Sequence, residues 1–260
     1  MKFELRPSQE RGGADYGWLK SFHSFSVPGF PAPVDSFGAL QVINEDRVEP
    51  SKGFGLHGHR EMEIFSYLVS GELHHKDSMG NVETLKRGDI QMTSAGTGIR
   101  HSEYNGSDEE QVHFLQIWAV PSQSSLSPKY FTRNFPDSDK VDNLLKVVAP
   151  VGSEGVKEER ESAGPAPVHS QVTVYATIVS AAKAVIHTLP DGTGVQRAYI
   201  QIPQSSGYNR STARGSRMRL NNDLEIAEGD GVFVWGQPGE QIRMENIGET
   251  PAEALLFDLA

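Results

Sequence analysis

Apolar and polar residues alternate with a period of two along most of this chain, and the apolar runs are short. LQVINEDRVEP, EIFSYLVSGELHHKD, VHFLQIWAV, VTVYATIVSAAKAVIHTL, RAYIQI and GVFVWG are rich in β-branched and aromatic residues, with Gly, Pro, Asn or Asp between them. Spacings of three and four, which an amphipathic helix needs, are scarce. The pattern predicts an all-β chain. DSMGN and LPDGTG have hairpin composition, because Gly and Asn tolerate the positive φ of tight turns. Residues 124–140 are polar and proline-punctuated and separate two strand-rich halves. Residues 150–170 have the composition of an exposed insertion.

The halves echo each other. KRGDIQM at 86–92 is answered by AEGDGVFV at 227–234. GIRHSEYNGSDEEQVHFLQIW at 98–118 is answered by QIRMENIGETPAEALLFDL at 241–259. Matches in the same order and at similar spacing predict a duplicated β-domain: residues 1–123, a linker over 124–140, and residues 141–260. The position of His101 is taken in the second half by Met244 or a neighbour, and nothing there resembles His57-x-His59. The expectation is a chemically active first half and an inactive second half.

The candidate chemistry lies in HGHREMEIF, residues 57–65, and GIRHSEYN, residues 98–105. Side chains alternate faces along a strand, so His57 and His59 point the same way, as do His101 and Glu103. Each pair is a two-pronged clip. Set opposite each other on neighbouring strands, the clips bring three imidazoles and a carboxylate to one point with one or two coordination positions left open. That donor set suits a divalent transition metal. Its ligands must be deprotonated, so affinity falls as the histidines protonate near ~6.5. The other candidates are weaker. His74 and His75 read as a solvated hairpin, His113 as a hydrogen-bonded core residue and His187 as structural, while His23 has no assigned role. Phe65 and Tyr67 share a face with Glu63 and are either a pocket wall or core.

Composition narrows the classes. The 260 residues suffice for one large domain or two ordinary ones, and the absence of cysteine leaves only nitrogen and oxygen ligands for a metal. Against 24 basic residues stand 34 acidic ones, a formal charge of −10 that disfavours a nucleic-acid backbone. The one basic run, RSTARGSRMR at 210–219, reads as a solvated hairpin loop. No stretch approaches the about 18 apolar residues of a membrane helix, and the N-terminus lacks the apolar run of a secretory signal. A cytoplasmic location is expected, with the nucleus as a second.

HGHREMEIFSYLVSGELHHKDSMGN, followed by GDIQMTSAGTGIRHSEYN and VHFLQIW, closely resembles the pirin family of bicupins, above all the bacterial members described as quercetin 2,3-dioxygenases. The likeness is dense from about residue 12 to residue 121 and sparser beyond. It implies two stacked cupin barrels of jelly-roll type and one metal per chain, in the N-terminal barrel, held by His57, His59, His101 and Glu103. Iron(II) is the first expectation, with nickel, cobalt, manganese or copper as alternatives. The implied reaction is dioxygen-dependent cleavage of a flavonol with release of carbon monoxide, Glu103 or Glu63 being the proton acceptor. The family's eukaryotic members imply an alternative, a metal- or redox-sensing co-regulator that binds a protein partner. Two departures matter. Gly58 stands where members commonly have proline. Glu63 sits where the wider cupin superfamily has a ligand, and is read here as a residue behind the ligands or a proton acceptor, with direct ligation as the alternative.

Overall fold

The computed structural model describes residues 1–26, 34–211 and 214–259. The first strands are β1 (Lys2–Arg6), β2 (Gly12–Asp15), β3 (Leu19–His23), β4 (Leu40–Val48), β5 (Gly53–His59), β6 (Glu63–Ser70), β7 (Glu72–Asp77) and β8 (Val82–Lys86). Next come β9 (Asp89–Ser94), β10 (Ile99–Asn105), β11 (Val112–Ala119), β12 (Lys129–Asn134), the short helix α1 (Asp137–Lys140), β13 (Leu145–Pro150) and β14 (Ala166–Val168). The last are β15 (Val172–Val179), β16 (Ala184–Thr188), β17 (Gln196–Gln201), β18 (Arg217–Leu220), β19 (Leu224–Ala227), β20 (Gly231–Gly236), β21 (Gln241–Asn246) and β22 (Ala252–Leu259). The chain is all-β as its alternation predicts. Among the described residues no helix is long and apolar enough to cross a membrane.

The strands form two compact units, one of residues 12–136 and 148–171, the other of residues 1–11, 137–147 and 172–260. These bounds differ from the expected 1–123, 124–140 and 141–260, for reasons in the pairing. β1 joins the second unit by pairing along its whole length with β20, from Lys2 opposite Trp235 to Arg6 opposite Gly231. β12 lies inside the expected linker, yet it pairs with β9 over six positions, Lys129 opposite Ser94 to Asn134 opposite Asp89. The expected insertion is tied down as well, since the Arg133 guanidinium donates to the carbonyls of Lys157, Glu159 and Arg160. Residues 212 and 213 of the basic run lie outside the described residues.

Each unit is a cupin jelly roll of two sheets. In the first, the order β12-β9-β6-β11-β4-β3-β2 faces β5-β10-β7-β8. Leu19, Val48, Leu68 and Phe114 from the larger sheet meet Leu73 and Leu85 from the smaller. Each such buried side chain stabilises the unit by about 1.5–3 kcal/mol. The second unit repeats this order as β1-β20-β17-β22-β15 and β16-β21-β18-β19. Two asparagines fix the correspondence. Asn105 donates to the carbonyls of Val48 and Glu110 and accepts from the Ser107 N–H. Asn246 repeats the pattern with Val179, Thr250 and Gly248. The DSMGN turn closes the β7–β8 hairpin, with Gly80 at φ 91°. LPDGTG is no hairpin: β16 and β17 lie in different sheets, so it connects the two.

Candidate metal centre

β5 and β10 pair antiparallel with His57 directly opposite His101 and His59 opposite Ile99, which puts three imidazoles on one face. Their ring centroids lie 4.5 Å (His57 and His101), 4.8 Å (His57 and His59) and 4.9 Å (His59 and His101) apart. His57 Nε2 and His101 Nε2 are 3.1 Å apart. Nitrogens at about 2.1 Å from a shared ion, in octahedral or tetrahedral arrangement, would stand about 3.0–3.4 Å apart. The Gly55 carbonyl lies 2.8 Å from His57 Nδ1 and accepts its proton, which leaves the Nε2 lone pair free. Burial, then the neighbouring His57, lowers the pKa of His59 to about 4. The same causes, with His75 and His59, lower His101 to about 3. Both rings are therefore neutral near pH 7, the form that binds a metal.

Glu103 joins this group by a different route. The β5–β10 register shifts between His101 and Glu103, so that Glu103 faces Phe54 on a bulged strand. The carboxyl is 1% exposed. Its Oε2 accepts from Gln116 Nε2 at 2.9 Å, while buried Oε1 has no partner. Burial pushes its pKa up to about 7, the Gln116 hydrogen bond opposing the shift and the nearby Asp46 adding to it. A cation beside it would offset the cost of ionising it. The structure thus gathers two overlapping sets of ligand atoms within 4.8 Å, one from His57, His59 and His101 and one from His75, His101 and Glu103. Of the four expected residues, His57, His59 and His101 come together, whereas Glu103 falls in a separate set with His75 and shares only His101 with the first. The chemistry of these donors, imidazoles with an enclosed carboxyl, fits a divalent transition metal.

Glu63 requires a correction. Ser66 on β6 and Gln116 on β11 are cross-strand neighbours on the side of Glu103. Glu63, Phe65 and Tyr67, odd-numbered on the same regular strand, point to the other face. Glu63 Oε1 accepts from Ser94 Oγ at 2.6 Å and its Oε2 from the His169 N–H at 2.9 Å. It ties two segments together, outside the metal group, and Phe65 and Tyr67 are core residues rather than pocket walls.

His75 is the second correction. Along β7 burial alternates, with Leu73, His75 and Asp77 inside and His74 and Lys76 outside, so only His74 is solvated. Sequence reasoning also passed over Trp118, whose indole meets the His59 ring edge-on at 4.8 Å. Its parity with Gln116 in HFLQIW was the available signal. Trp118, Val42, Met62 and Asn44 wall a cavity of about 440 Å³. The buried Trp118 Nε1 and Asn44 Oδ1 have no hydrogen-bond partner. His113 is paired with Glu45 at 2.8 Å, as a core histidine should be. His23 is buried on β3, opposite Asn44.

The second unit carries apolar side chains at three of the corresponding positions. Counting from Asn246 as from Asn105, Met244 replaces Glu103 and Ile242 replaces His101. Leu220, opposite Met244, replaces His75. All three are fully buried in an apolar core. His187, opposite Ile242 as His57 is opposite His101, remains but is bound to Asp258 at 2.8 Å.

The family model described as Pirin matches residues 4–119. Over 256 residues the chain is 34% identical to the quercetin 2,3-dioxygenase of Escherichia coli (strain K12), an alignment covering 98% of this chain and 97% of that protein. The crystal structure of YhhW from Escherichia coli superposes with a TM-score of 0.83 at 33% identity, covering 100% of this chain and 98% of that one. The structure of bacterial pirin YhhW in complex with nickel(II), also from Escherichia coli, gives 0.81 at 33% identity and covers 99% of each chain.

Proposed function

The chain belongs to the pirin family, and on that premise we propose that it is a metal-dependent dioxygenase cleaving flavonols such as quercetin with dioxygen and releasing carbon monoxide. The observation that carries the reading is the convergence of three imidazoles, with His57 and His101 Nε2 atoms 3.1 Å apart, beside the enclosed Glu103 carboxyl. His57, His59 and His101 would hold one divalent ion, with the Glu103 carboxyl beside His101. Iron(II) is the first expectation. Nickel(II), which the relative's structure contains, belongs to the same range of N/O-ligated ions, with cobalt, manganese and copper.

A flavonol carries a hydroxyl beside a carbonyl. When bound, a divalent ion supplies Lewis acidity that lowers the pKa of such a hydroxyl. Glu103 accepts the proton at Oε1, the oxygen with no partner, while Gln116 holds Oε2. A carboxyl with its pKa near 7 can take and return a proton at neutral pH. Trp118, Val42 and Met62 offer a flat apolar wall beside His59, and Asn44 a polar group for a phenolic hydroxyl.

The test is product analysis. Metal-loaded protein given quercetin in air should yield a ring-opened ester acid and an equimolar amount of carbon monoxide. Recovery of quercetin unchanged would contradict the proposal.

A further inference from the structure

We propose that the metal centre contains a second, inner cation position formed by His75, His101 and Glu103, an inference that rests on reading this face of the sheet as a metal site. Three buried polar atoms there lack a hydrogen-bond partner: His75 Nδ1, His101 Nδ1 and Glu103 Oε1. One comes from each member of the inner ligand set, whose ligand atoms lie within 4.8 Å of one another. Buried polar atoms are nearly always paired, so three unpaired ones on three neighbouring residues mark a place built for a ligand.

The strands explain why they meet. His75 on β7 is directly opposite Glu103 on β10, and His101 is opposite Asp77, so these side chains share the inward face. His75 is held on two sides. Its ring stacks on Tyr130 at 4.9 Å and 23°, and its edge meets His101 at 5.2 Å. Its Nε2 faces Asp77 Oδ2 at 3.4 Å. Asp77 is itself fixed by N–H donors from Met79 and Asn81 and by the Asn81 side chain. A carboxylate behind one ring nitrogen puts the proton there and turns the other nitrogen's lone pair inward, which is how carboxylates orient metal-binding histidines. In the outer position the ion uses His101 Nε2; in the inner position it uses Nδ1. A neutral imidazole has one lone pair to give, so one ion occupies one position or the other, and His101 is the residue between them.

The experiment uses the full chain and cobalt(II) alone, with calorimetric titration and the visible absorption of the bound ion as readouts. Wild type should bind one ion. The His57→Ala/His59→Ala variant should still bind one ion, with a changed cobalt spectrum. Adding His75→Ala should then lower the remaining affinity at least 100-fold, and Asp77→Asn should lower it about 10–100-fold. Loss of all cobalt binding in the His57/His59 variant overturns the inner position. So does binding that His75→Ala leaves unchanged. If the double variant does not fold by circular dichroism, His59→Ala replaces it with the same expectations. Absence of cobalt binding by wild type overturns the metal-centre reading itself, and the inner position with it.

Discussion

Replacing Glu103 by glutamine isolates the cost of keeping an acid inside the first unit. The group is buried, and its pKa stands at about 7 against an ordinary 4.5. A carboxyl raised on folding stabilises the folded state fully below 4.5, and that contribution disappears as pH rises through about 7, because the unfolded chain ionises first. The difference is worth about 3 kcal/mol, at 1.36 kcal/mol per pH unit. Asp46, also pushed up to about 7 by burial, titrates alongside it, so the informative quantity is the difference between proteins. Metal-free wild type and Glu103→Gln are unfolded in urea at pH 5 and pH 8. Wild type should lose about 2–3 kcal/mol more between the two conditions than the variant does, since at pH 5 the unfolded carboxyl is already largely ionised. A saturating divalent ion should restore wild type at pH 8, since a bound ion stabilises the ionised carboxylate, and should do little for the variant. Equal pH dependence in the two proteins would refute the assignment of Glu103 as a buried acid at the site.

Other outcomes follow from the same geometry. His101→Ala should weaken metal binding sharply by calorimetry, while exposed His74→Ala should leave it unchanged. Glu63→Gln should keep metal affinity and turnover but lower stability by about 1–3 kcal/mol in thermal unfolding, because it must still answer two donors with one oxygen. Elemental analysis should find one tightly bound metal per chain, because Ile242, Met244 and Leu220 stand in the second unit where His101, Glu103 and His75 stand in the first. Gly53→Ala should disrupt the β5–β10 pair and the metal site with it, since a Cβ there would meet the Glu103 carbonyl oxygen at 2.2 Å.

Much of this was legible in the sequence. Period-two alternation in LQVINEDRV and VHFLQIWA became β4 and β11, and the echo of GIRHSEYN in QIRMENIG became β10 and β21. The His57-x-His59 clip was legible because alternation alone puts both rings on one face. Long-range pairing was not. Nothing local says that Lys2–Arg6 will complete the distant unit by pairing with β20, or that the proline-punctuated stretch holds β12. Register was also hidden. Glu63, of opposite parity to Ser66 on β6, faces away from the site, while His75, read as solvent-facing beside His74, faces into it. The β5 bulge that carries Glu103 away from the His57 and His59 pair leaves no mark in the spacing of H-x-H and H-x-E.

The measurement closest to the central claim is oxygen uptake with quercetin, comparing metal-loaded wild type, metal-stripped wild type and His101→Ala. Loaded wild type should consume one dioxygen per flavonol, with rates near zero for the other two. Uptake should decline at acidic pH, as protonation of the histidines releases the ion. Loaded protein that binds its ion yet consumes no oxygen with quercetin or related flavonols would contradict the dioxygenase reading and leave a metal-sensing binding protein in its place.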